Sequence, residues 1–214
     1  ASLPKGQGYR HLPLSHFLPE LLVSLQISSI VQGPPMDSTV AHYSRLSRHL
    51  HWGMAALFTW MFITTGVRVL LPDSALEDAL WPTHRPLGAL LMLLVVVRLV
   101  WALVERSRRP ASVSLAASLG HKALYALMVA VPALALLRQY GSGRAFSPFG
   151  IPLMPGFEGD AIEWMTAAGS NFHGLLGWTL LALAVGHAVM AIWHHRAGGE
   201  EVLARMMPRL ARGR

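Results

Sequence analysis

The apolar stretch from Asn171 to Trp193 carries two imidazoles, His173 and His187, fourteen residues apart. On a helix, fourteen steps of about 100° return to within about 40° of the starting direction and climb ~21 Å. Both rings would therefore leave one helix face at two depths. An ionisable side chain inside an apolar span is costly and marks function by default. The chain has eleven histidines and no cysteine. Disulfides, thiolate metal centres, iron–sulfur clusters and c-type haem attachment are thereby excluded, and neutral imidazole is left as the metal ligand. Two stacked imidazoles at this separation suit two haem irons, one toward each membrane surface.

The elements that must hold these rings are membrane spans. Hydrophobic residues make up 53% of the 214, and charged residues only 14%, against about 25% in soluble domains. The mean hydropathy is +0.41. Four segments approach the ~20 apolar residues that cross a bilayer: Leu50 to Leu71, His84 to Val104, Leu119 to Leu137 and Phe172 to Trp193. The third is the shortest and contains Pro132, which is expected to kink it. The expected fold is all-α: an integral membrane four-helix bundle enclosing two b-type haems. The formal charge of +7 does not point to nucleic acid, because the basic residues gather at span ends. Arg45, Arg48, Arg106, Arg108, Arg109, Arg196 and Arg205 flank one side; Asp73, Glu77, Asp78, Glu158, Asp160 and Glu163 dominate the other. The positive-inside rule then puts both termini and the middle loop in the cytoplasm. The loop from Gln139 to Ser170 is long, and such loops are often functional.

Depth sorts the histidines into pairs. His51 begins the first span and His187 nears the end of the fourth, both inside. His84 begins the second and His173 the fourth, both outside. Each pair can ligate one iron from opposite faces, and an iron so filled passes electrons. A tetrahedral zinc site would gather its ligands at one depth instead. Gly88 and Gly177 follow His84 and His173 by four residues, on the same face, and Gly53 and Gly186 flank the other two. They either clear a porphyrin edge or let helices pack closely. Arg98 and Arg68 lie within spans and would meet haem propionates or reach for the interface. His121 and His194, at cytoplasmic span ends, are candidates for a quinone pocket, since quinone reduction takes up protons. Residues 1–40 are expected to be an N-terminal extension without a functional role, Met36 resembling a natural start. Residues 41–196 form the membrane domain and 197–214 a basic cytoplasmic tail.

Several short motifs carry a family resemblance. Tyr43-Ser-Arg-Leu, His51-Trp52, Val95-Val-Val-Arg98-Leu, Leu119-Gly-His121 and His194-His195 followed by Arg205-Met-Met-Pro208-Arg occur in this order. Over about residues 42–210 the chain resembles the bacterial cytochrome b561 family, in particular its small dihaem superoxide-oxidising branch. The resemblance implies two b-type haems in a bacterial inner-membrane protein, with His51, His84, His173 and His187 as iron ligands. It implies a superoxide:ubiquinone oxidoreductase that takes electrons from superoxide at the periplasmic side and reduces ubiquinone. Other members of the family are haem-b electron-transfer subunits of hydrogenases and dehydrogenases, which would require a redox partner protein. A non-redox membrane adaptor with structural histidines is the reading from a different class.

Overall fold

The computed structural model describes residues 42–110, 112, 114–197 and 202–207, and the following concerns these alone. The expected N-terminal extension with Met36 lies outside the described residues. Six α-helices follow one another: α1 (Arg45–Leu70), α2 (Ala75–Leu80), α3 (His84–Val104), α4 (Leu115–Gly141), α5 (Glu163–Arg196) and α6 (Val202–Met206). Short 3₁₀ turns at Trp81–Thr83 and Pro148–Gly150 complete them. α1, α2 with α3, α4 and α5 supply four helices long and apolar enough to cross a membrane.

Local chemistry sets the helix starts. Ser44 caps α1 by accepting from the Ser47 N–H, and Ser114 caps α4 by accepting from Ala117. Ser74 caps α2: its hydroxyl accepts the Glu77 N–H, and the Glu77 carboxylate accepts from the Asp73 N–H, one residue before the cap, at 2.8 Å. The connection from 71 to 83 is thus largely helical.

Three spans run longer than hydropathy alone indicates. α4 has 27 residues and α3 only 21, so the third span is not the shortest. α5 begins at Glu163, which puts Phe172 well inside it and cuts the preceding loop to residues 142–162. Amphipathic ends are the cause. Backbone hydrogen bonding continues past the last strongly apolar residue until a cap stops it. α4 runs unbroken through Pro132.

The helices alternate in direction. Ser44 and Ser47 of α1 bind Glu105 just past α3, and His121 of α4 meets His187 of α5. At the other end, Trp60 of α1 binds Thr83, and Arg85 of α3 binds Gln139 of α4. One end of the bundle is therefore basic, with Arg45, Arg48, Arg106, Arg108, Arg109 and Arg196; the other carries Asp73, Glu77, Asp78, Glu158, Asp160 and Glu163. Met54, Leu91 and Val95 form the apolar core where α1 meets α3, joined by Met128 and Val129 of α4. Gly141 and Gly169 join α4 to α5: a Cβ on Gly169 would lie 2.4 Å from the Arg138 Cβ, and one on Gly141 would lie 2.5 Å from the Met165 Cβ. α6 folds back over the start of α1. Its carbonyls receive the Tyr43 N–H, at Arg205, and the Trp52 indole, at Met206. The Ala204 carbonyl is 3.1 Å from His42 Nδ1, and Ala204 is buried.

Candidate functional site

Two imidazole pairs stand at the two ends of the bundle. At the basic end the ring centres of His51 and His187 are 6.4 Å apart with planes at 70°. At the acidic end His84 and His173 are also 6.4 Å apart, at 81°. A metal–nitrogen bond of about 2 Å, plus about 1.1 Å from nitrogen to ring centre, sets two imidazoles across one ion about 6.2 Å apart. Both pairs have that span. Among the described residues, no three His, Cys, Asp or Glu side chains gather to hold a metal ion. A tetrahedral zinc centre therefore lacks its ligand set here. Two facing imidazoles suit an iron whose remaining ligands come from a porphyrin.

The acidic-end pair also has the hydrogen bonds that metal-binding imidazoles need. His84 Nδ1 lies 2.9 Å from the Thr64 hydroxyl. That hydroxyl donates to the Met61 carbonyl, so it accepts from His84. His173 Nδ1 donates to the Val131 carbonyl at 2.9 Å, just before Pro132. In both rings the proton is held on Nδ1, and Nε2 keeps its lone pair for a metal. Such outer partners fix tautomer and ring plane and raise ligand basicity. Thr64 is almost fully buried. Nothing in the sequence singles it out from its neighbours Thr59 and Thr65.

Trp81 also has a part beyond the interface anchor that its position suggests. Its ring stacks on His84 at 4.8 Å, and the Arg68 guanidinium lies over it at 4.3 Å. The Arg68 charge is answered by Glu77 at 2.6 Å. Arg98 is buried between three helices. It donates to the Ser47 carbonyl of α1 and, through Nε, to the Tyr125 hydroxyl of α4 at 3.3 Å. Two of its five N–H groups are thus committed to protein, and three are left for an anion. Of the basic-end histidines, His121 comes within 5.3 Å of His187, whereas the ring contact of His194 is with its neighbour Trp193.

The glycines divide into two kinds. A Cβ on Gly53, Gly177 or Gly186 would meet nothing within 4 Å, whereas one on Gly88 would lie 3.3 Å from the Met61 methyl. Gly177, one turn along from His173, therefore keeps space open on that imidazole's face. Gly88 serves helix packing.

The model of the prokaryotic cytochrome b561 family matches residues 42–209. Cytochrome b561 homolog 2 of Escherichia coli (strain K12) is 31% identical over 182 residues, covering 79% of this chain and 93% of its relative.

Proposed function

We propose a function from one premise: the chain belongs to the prokaryotic cytochrome b561 family. It is a multi-pass membrane protein of an electron-transferring family that binds b-type haem. Our reading is that it holds two haems b, one between His51 and His187 and one between His84 and His173, and that it oxidises superoxide and reduces ubiquinone. The observation that carries the two-haem part is the twin 6.4 Å imidazole spacing, supported by the Thr64 and Val131 partners of the acidic-end rings; superoxide and ubiquinone rest on the resemblance drawn from the sequence.

Bound haem supplies one-electron redox chemistry, and the protein supplies position, burial and access. Two superoxide anions give two electrons and leave as dioxygen; one quinone takes those electrons and two protons to become quinol. On this reading superoxide meets the acidic end, facing the periplasm. The one ion pair among the described residues is Arg68–Glu77. Arg85, beside His84, instead rests on Gln139 and the Phe146 ring. Its charge, with those of Arg138 and Arg144, is free to draw in an anion. Quinone belongs at the basic end, toward the cytoplasm, where His121 and His194 lie at helix ends. Arg98, with its spare donors, and Arg68 are the candidate propionate contacts.

The test is the purified protein with a superoxide source and a soluble ubiquinone analogue. We expect quinol formation well above the uncatalysed rate. Quinol at the uncatalysed rate, from protein with a b-type reduced-minus-oxidised spectrum, would overturn the superoxide reading and leave a subunit that serves a redox partner.

A further inference from the structure

At the acidic end, each imidazole of the pair has a partner for its second nitrogen. At the basic end, a third imidazole stands in the matching position. His121, in the second turn of α4, lies 5.3 Å from His187 between ring centres, with planes at 66°. An N–H···N bond of about 2.9 Å, with about 1.1 Å from nitrogen to ring centre at each end, joins rings about 5.1 Å apart. His187 thus has two imidazole neighbours at two distances: 6.4 Å to His51 and 5.3 Å to His121. The first suits a shared metal ion; the second is within about 0.2 Å of the separation for a shared proton, although among the described residues no hydrogen bond joins the two rings as they stand.

The location of His121 is itself fixed. Tyr125 lies one turn along α4, and its hydroxyl accepts from Arg98 Nε. Arg98 also binds the Ser47 carbonyl, in the turn of α1 that leads to His51. One buried cation therefore ties α4, which carries His121, to the turn carrying His51.

We propose that His121 is a positioning residue for the basic-end pair: with haem held by His187, the neighbouring His121 ring turns to accept the second N–H of His187 and so holds that ligand's tautomer and plane. The proposal rests on the reading that His187 ligates haem. Its other ring nitrogen is then a donor turned away from His187, available to a quinone carbonyl. An accepted N–H makes the ligand more basic, which favours ferric over ferrous iron. Losing the acceptor should therefore raise the potential of that haem alone.

The test uses the full chain in lipid nanodiscs as wild type, His121→Ala and His121→Gln, with redox titration and low-temperature electron paramagnetic resonance of both haems. The acidic-end haem is the internal control for folding. In His121→Ala we expect a raised midpoint and shifted g values for the basic-end haem, binding there weakened about 10- to 100-fold, and an unchanged acidic-end signal. His121→Gln keeps an acceptor and should return most of the shift. Wild-type potential and g values at both haems of His121→Ala would overturn the proposal. If His187→Ala retained both haems, the ligation reading itself would fall, and this inference with it.

Discussion

His84 illustrates how one hydroxyl decides what an imidazole can do. With Nδ1–H held by Thr64 at 2.9 Å, the ring presents Nε2 as an acceptor for metal. Thr64→Val is nearly isosteric; it removes the acceptor of His84 and the hydroxyl's own bond to the Met61 carbonyl. It leaves a half-buried N–H unpaired, at a cost of about 1–3 kcal/mol. We expect haem affinity at the acidic end to fall about 10- to 100-fold with the basic-end haem retained, as measured by haem transfer to an excess of an apo-acceptor. The four histidines were legible in the sequence because they are rare polar points in apolar runs. Thr64, Tyr125 and the Val131 carbonyl were not. A threonine, a tyrosine and a backbone oxygen have no signature until another helix is brought against them.

At the scale of elements, glycines with similar sequence settings prove to differ in role. Gly169 is where α5 touches α4; an added Cβ would lie 2.7 Å from the Leu134 carbonyl oxygen. Backbone cannot yield as a flexible side-chain tip does. Gly169→Ala should cost roughly 1–3 kcal/mol, visible as a lowered Tm in detergent. Gly177→Ala should not lower the Tm of the haem-free protein, because nothing stands within 4 Å of an added Cβ, yet on the two-haem reading it should lower acidic-end haem content. α6 offers a second test. Its carbonyls hold the Tyr43 N–H and the Trp52 indole and lie against His42. Each such bond is worth about 1 kcal/mol, so a chain ending at Ala197 should lose about 2–3 kcal/mol. Limited proteolysis should then cut near residue 43 while both haems stay bound. The docking of so short a basic segment was not readable from its composition, because its contacts are made by backbone carbonyls.

For the whole molecule, charge asymmetry is the governing feature. Most arginines collect at the end where α1 starts and α5 finishes, and most carboxylates at the other, which also carries Arg68, Arg85, Arg138 and Arg144. The chain has no cysteine, which makes sidedness easy to measure. In intact cells, Glu158→Cys should react with a membrane-impermeant maleimide and Arg106→Cys should not, until the membrane is opened. The reverse pattern would invert the bundle and put the proposed superoxide site in the cytoplasm.

The sequence by itself determined the class of the molecule, because the bilayer imposes it. Backbone groups in lipid must be satisfied within a helix, so four apolar runs could only be four helices. It also set the levels at which imidazoles occur, since rise per residue is constant along a helix. The tertiary structure decided the rest. Helix packing set the 6.4 Å ring separations and brought Thr64 to His84 and His121 to His187. It also turned the guanidinium of Arg98 onto Ser47 and Tyr125. These depend on the rotation and tilt of each helix about its neighbours, which side-chain packing across the bundle sets and no single span encodes.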